Sequence, residues 1–198
     1  MQKPASVRLS VLTLALALLL TACASPSPTV TLSRFLTAYK SMDTAGMIKY
    51  LAISVDETGR FIDPFKFQNQ SQEQMIKAVH KRFSYSIGDA TIKDDVATVE
   101  VRVTSVDMAK ILLDTINKSL TRVNEAISSG KAASPEVLDQ VNTTLLAGIN
   151  DPKAPTVTNK VTFIMVKVRE EWRVVFDEPS AKSFTSALMG NLAQSLGK

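Results

Sequence analysis

Apolar positions along this chain change period repeatedly, and the changes mark out its elements. Leu32, Phe35, Leu36 and Tyr39 recur at helical spacing, which predicts an amphipathic helix to about Lys40. Asp43 is placed as the N-cap of a second helix through Leu51, with Met47, Ile48 and Leu51 on one side. From Ser54 to Gln70 the pattern is irregular and broken by Gly59 and Pro64. Phe61, Phe65 and Phe67 alternate within it, as a short strand or an aromatic loop on the core. A third helix is expected from about Ser71 to Lys81 on the stripe Met75, Ile76, Val79.

The period then drops to two. Phe83, Tyr85 and Ile87 alternate with Ser84, Ser86 and Gly88, giving a strand to about Ile92. After a turn at Lys93-Asp94-Asp95, Val99, Val101 and Val103 alternate with Thr98, Glu100, Arg102 and Thr104. This second strand has one dry and one wet face, and the two form an antiparallel hairpin. Helical spacing resumes at Asp107, a cap for a long helix to about Ser129 on the stripe Met108, Leu112, Ile116, Leu120, Val123, Ile127. Ser134-Pro135 starts its partner, with Leu138, Val141, Leu145 and Ile149, so residues 107–150 read as an αα-hairpin whose stripes pack the two helices on each other, the simpler account, or dock a partner helix. Val161 to Val168 is nearly all apolar or β-branched, which predicts a central strand covered on both faces. A turn at Glu170-Glu171 leads into a strand from Trp172 to Phe176. Pro179-Ser180 opens a last helix with Phe184, Ala187, Leu188, Leu192 and Leu196 on one face. The fold class is therefore α+β: an antiparallel sheet packed with N-terminal helices, an αα-hairpin inserted between strands, and a C-terminal helix.

The N-terminus carries an address. Lys3 and Arg8 precede an uncharged run from Leu9 to Leu20, which is too short for the roughly 20 apolar residues of a membrane span. The run ends at Leu20-Thr21-Ala22-Cys23: a large aliphatic residue, two small ones and the only cysteine of the chain. This stretch resembles the lipobox of bacterial lipoproteins. The resemblance implies diacylglyceryl transfer to the Cys23 sulfur, cleavage before Cys23 by the lipoprotein signal peptidase that recognises Leu20, Thr21 and Ala22, and anchoring by palmitate-like acyl chains. One chain holds a protein marginally and two hold it stably, at about 0.8 kcal/mol per buried CH₂. The expected organisation is a cleaved signal at 1–22, a lipidated cysteine and Ser/Pro tether at 23–30, and one domain at 31–198 with the hairpin insertion at about 107–150. Removal of the first 22 residues, which hold two of the 23 basic residues and no acidic one, lowers the formal charge from +4 to +2. With no basic stripe interleaved with aromatics, nucleic acid is not an expected partner. With its one cysteine lipidated, the domain has no internal disulfide and depends on packing.

The order of helices followed by antiparallel strands ending in a Trp-containing strand is similar to that of the nuclear-transport-factor-2-like superfamily. Two stretches carry the likeness: Arg34 to Asp43 with Met47 and Tyr50-Leu51, and Glu171-Trp172-Arg173-Val174-Val175. The resemblance implies a cystatin-like cone, in which helices cover a curved sheet, and in some members an acidic general base inside it. The 107–150 hairpin departs from that pattern, standing where the family has a tight turn.

Candidate chemistry is sparse. His80 is the only histidine, which excludes His-rich metal sites; it reads as a surface residue at a helix C-terminus, where a positive imidazole is favoured. Glu100 is the strand carboxylate that a proton-transfer enzyme would use, but with Arg102 on the same face it reads as part of a solvated outer face holding a cross-strand or same-face ion pair. Asp94-Asp95 reads as a turn, and Asp56, Glu57 and Asp63 lack the spacing and glycine of an EF-hand. Trp172 with Phe61, Phe65 and Phe67 either lines an apolar ligand pocket or belongs to the core. No catalytic set, metal or cofactor is indicated. The expectation is a non-enzymatic lipoprotein of the cell membrane or outer membrane, facing periplasm or exterior and binding a protein or envelope component. The alternatives are a carrier or sensor of a small apolar ligand in the cone and, behind it, a proton-transfer enzyme.

Overall fold

Alternation along one strand sets the architecture. Val99, Val101 and Val103 are fully buried while Thr98, Glu100 and Arg102 between them are exposed. Each such apolar side chain contributes roughly 1.5–3 kcal/mol when removed from water. The computed structural model describes residues 25–52, 64–130, 135–190 and 192. Its elements are α1 (Pro28–Lys40), α2 (Thr44–Ile48), α3 (Gln70–Arg82), β1 (Ser84–Lys93), β2 (Val96–Val106), α4 (Met108–Ser128), α5 (Pro135–Asn150), β3 (Thr156–Val168), β4 (Glu171–Val175) and α6 (Glu178–Leu188). The four strands form one curved antiparallel sheet in the order β1-β2-β3-β4, as the α+β reading expects, with the α4–α5 hairpin inserted between β2 and β3.

Helices α1 and α6 close the inner face of the sheet. Leu32, Phe35, Leu36 and Tyr39 from α1 and Phe184, Ala187 and Leu188 from α6 share one core with Val99, Val101, Phe163, Met165 and Val174. β3 corrects one expectation. Val161, Phe163 and Met165 are buried, but Thr162 is exposed and Ile164 stands 43% exposed on the other side. Its apolar run reflects β-branched residues suited to a pleat, in an antiparallel sheet whose second face meets solvent.

Local chemistry fixes the ends of elements. α1 begins at Pro28, inside the stretch read as tether, because Ser27 caps it by accepting the Val30 N–H at 3.3 Å and Pro28 fits the first turn. Asp43 caps α2 through the Gly46 N–H at 2.9 Å. That helix stops at Ile48, short of the expected Leu51, because the chain joins the edge of β4. The Val174 N–H donates to the Tyr50 carbonyl, and the Ala52 N–H to the Val174 carbonyl. The turn after β3 falls at Arg169-Glu170, one residue before its expected place, and both residues adopt positive φ. Asp177 caps α6 through the Ser180 N–H at 3.0 Å. α6 ends at Leu188, earlier than the spacing predicts, and Gly190 turns the chain with φ +59°. A Cβ there would lie 2.6 Å from the Val106 carbonyl oxygen, so only glycine fits. Leu196 lies outside the described residues.

Candidate functional site

The α4–α5 hairpin buries the wrong residues for its sequence. At its base, Met108 and Ile111 from α4 and Ile149 from α5 pack with Ala78 and Val79 of α3 and with Val106. Further along α4 the buried row continues at the same helical spacing as Thr115 and Ser119, both almost fully covered. Thr115 satisfies its hydroxyl on its own helix, donating to the Ile111 carbonyl at 2.8 Å. Gly148 of α5 lets the helices close: a Cβ at that position would stand 2.8 Å from the Ile111 Cγ2. The expected stripe is therefore corrected. Met108 is buried and Leu112 half-buried, but Ile116 and Leu120 are 49% and 50% exposed and Ile127 58%. Leu113 at 56% and Leu138 of α5 at 54% join them. The seam runs through small polar residues because these allow close helix approach, and the large apolar row is turned outward. The sequence carries both rows at the same spacing, the large apolar residues and the smaller Thr115 and Ser119, and residue size alone points to the wrong one.

The interior expected to hold a pocket is packed with rings. Phe184 contacts Tyr39 at 4.8 Å, Phe163 at 5.4 Å and Phe83 at 6.1 Å, all edge-on. His80 belongs to this cluster, which corrects its reading as a surface residue. It is 5% exposed, stacks on Tyr39 at 5.3 Å and meets Phe65 edge-on at 5.4 Å. The helical spacing that places Val79 inward carries His80 with it, because α3 is covered on that side by α1 and the Phe65 loop. Burial pulls the imidazole pKa below its ordinary value, with the Tyr39 and Lys40 carbonyls opposing the shift. Nδ1 is buried without a hydrogen-bond partner, which suits the bare nitrogen of a neutral ring. Burial likewise pushes the Tyr39 phenol up to about 12, against its hydrogen bond with Thr185.

The remaining predicted site residues are dispersed. Phe65 and Trp172 both pack on the rim of the main core, yet they do not form one pocket. Trp172 lines a groove of about 240 Å³ with Pro26, Thr31, Arg34, Tyr50 and Glu171, where the chain enters α1. Arg173 closes this edge by donating to the Lys49 carbonyl and the Glu171 carboxylate. Phe67 is half-buried. Leu20, Thr21, Ala22, Cys23 and Phe61 lie outside the described residues, as do Asp56, Glu57 and Asp63. Glu100 sits on the exposed sheet face and pairs with Lys160 across the strands at 3.1 Å, rather than with Arg102. Strand register explains the choice, since Lys160 stands on β3 diagonally opposite Glu100. Among the described residues no group of three or more His, Cys, Asp or Glu side chains is placed to hold a metal. No helix among them is long and apolar enough to cross a membrane.

No protein-family model and no curated protein matches the chain. A solved structure does. It is described as "a putative lipoprotein (ycdA)" from Bacillus subtilis, with a TM-score of 0.50, 18% identity and 77% of this chain covered. This chain spans about half of that one, 54% of its length. At that identity the likeness is one of fold.

Proposed function

We propose that this chain is a lipid-anchored lipoprotein of the bacterial cell envelope, carrying a nuclear-transport-factor-2-like domain that acts by binding. The outward apolar row of α4 carries the reading. Large aliphatic side chains left half exposed along one helix contribute little to the monomer and much to an interface. The Leu20-to-Cys23 lipobox supports the anchor, with helix α1 starting at Pro28, five residues beyond Cys23. The fold likeness to a chain described as a lipoprotein agrees with this. The ring-filled interior favours an external surface over a carrier's cavity, and Glu100 is taken up by an exposed pair with Lys160 on the outer sheet face, away from that interior.

Two measurements test the halves of the proposal. Cells fed labelled palmitate should label the wild-type protein and leave Cys23→Ser unlabelled; label persisting in that variant defeats the anchor. A photo-crosslinking residue at Leu120 should give a discrete adduct in cells, while one at Lys118, on another side of the same helix, should not. Absence of any adduct at Leu120 defeats binding through this face.

A further inference from the structure

We propose that the outer row of α4 pairs with α4 of a second copy of this chain, the two helices running parallel. The proposal rests on the anchored-binder reading and names its partner. Its first ground is spacing. Leu113, Ile116, Leu120 and Ile127, with Val123 between the last two in sequence, follow one another at intervals of three, four, three and four residues. That is the a/d seam of a coiled coil, which accepts another helix rather than a flat surface. α4 already packs on α5, and with Thr115 and Ser119 on its buried side this seam stays half exposed.

Residue choice points to a hairpin as the partner. Leu113 and Leu120 take a positions and Ile116 a d position, and Leu at a with Ile at d favours assemblies of more than two helices. Two hairpins supply four. Of the positions flanking the seam between Leu113 and Ile127, Asn117 and Asn124 (e) and Ala126 (g) are uncharged, and the other g position, Ser119, is already buried on the covered side of α4. Identical helices can therefore face each other without like-charge repulsion, and no charge pattern selects a different protein. Asp114 and Lys118 lie off the seam and pair with each other at 2.6 Å.

Parallel pairing follows from where the anchor leaves the fold. Pro26 lies beside Trp172, at the sheet end that carries the 94–95 and 169–170 turns, where the Lys167 N–H donates to the Asp95 carbonyl. The hairpin departs at the opposite end, where Val106 faces Thr156. The eleven paired residues from Val96 to Val106 separate the two ends by about 33 Å. The stretch from Cys23 to Ser27 reaches about 16 Å at most, so the Trp172 end stays close to the bilayer. Copies on one membrane then stand the same way up. With α4 standing along the membrane normal, as the proposal takes it, a parallel pair keeps both anchors on one side, whereas an antiparallel pair sends them to opposite ends. Confinement to a surface also raises the effective concentration of a second copy.

The test uses full-length protein in cells, mildly oxidised and read on non-reducing gels, with the parent chain carrying only Cys23 as the blank. In a parallel pair every seam residue meets its own counterpart, so Leu113→Cys, Leu120→Cys and Ile127→Cys should each give a covalent dimer. Lys118→Cys and Glu125→Cys, off the seam, should give at least tenfold less. Leu113→Glu with Leu120→Glu should abolish the Ile127→Cys dimer while leaving the thermal unfolding curve at low protein concentration in place. Dimer at one position only, dimer equal at the control sites, adducts of another mass, or no adduct each overturn the proposal. Palmitate labelling of the same samples separates the two claims. Label without dimer defeats the pairing and spares the anchor; seam dimers without label do the reverse.

Discussion

The sheet body and the hairpin beyond its apolar base bury opposite kinds of residue. On the inner face of the sheet, Val99, Val101, Phe163 and Met165 are sealed by Phe35 and Phe184, and the polar positions face solvent. In the hairpin the covered row passes into Thr115 and Ser119, and Leu113, Ile116, Leu120 and Ile127 are left half exposed. In the body, hydrophobic pattern and burial coincide because one chain both supplies and covers the apolar face. In the hairpin they separate, because small residues bring α4 and α5 close and the apolar row is left half exposed. A covered row contributes to stability; the half-exposed one is the surface on which the proposed interface rests.

The comparison predicts very different costs for truncating an aliphatic or aromatic side chain in the two regions. Phe163→Ala should have the largest effect. Its ring is fully buried and touches both Phe35, at 6.3 Å, and Phe184. Loss of such a ring costs about 3–5 kcal/mol through lost burial and a residual cavity. In a protein of this size that lowers the Tm by about 2–4 °C per kcal/mol. Thermal unfolding followed by circular dichroism measures it, and a loss under about 1 kcal/mol would show that the inner face repacks freely.

Gly190→Ala strikes the junction between the regions. The alanine must adopt positive φ and push its Cβ against the Val106 carbonyl, one residue before the hairpin's cap at Asp107. We expect a loss of about 2 kcal/mol, smaller than the core truncation because no cavity forms. Denaturant midpoints of the two variants should rank them in that order, and an unchanged midpoint for Gly190→Ala would mean the loop relaxes away from β2.

A smaller effect is conditional on pH. His80 has its folded pKa below the ordinary imidazole value because it is buried among Tyr39, Phe65 and Phe83, with carbonyls partly offsetting the desolvation. As pH falls through the ordinary imidazole value, the unfolded chain takes up a proton that the folded chain resists. The stability associated with His80 is thus fully present above that value and declines below it, towards the folded pKa. The Tm of the wild type should fall between about pH 7.5 and 5.5 more steeply than that of His80→Phe. Parallel pH curves would place the imidazole in contact with solvent.

The strands were legible wherever period-two alternation met turn residues, as in β1, Asp94-Asp95 and β2. The caps at Asp43 and Asp107 were legible because a short side chain beside a helical stripe has few other uses. What escaped was set by contacts distant in sequence. The end of α2 depends on Leu51 meeting Val174, and the end of α6 depends on Gly190 meeting Val106. The burial of His80 depends on a phenylalanine fifteen residues earlier and a tyrosine on another helix. At the candidate site the apolar row on α4 was readable residue by residue, but its direction was not. Helical periodicity gives two rows on one helix and does not say which one the partner helix covers. The size of Gly148 and the closeness of Ile111 decide that.

The smallest expected effect on stability is the most informative about this division. Leu120→Ser removes an aliphatic side chain that would cost several kcal/mol in the sheet body. Here half of that side chain already meets solvent, and its helix is held through Thr115, Ser119 and the Met108–Ile111–Ile149 base. The unfolding free energy of the monomer should change by no more than about 0.5 kcal/mol, as for surface substitutions elsewhere. Measured at low concentration, where self-association contributes nothing, the midpoint should overlay that of the wild type. At high concentration the two should diverge, because only the wild type gains stability from pairing. A loss of 2 kcal/mol or more at low concentration would place Leu120 inside the monomer's own packing and erase the contrast between hairpin and body.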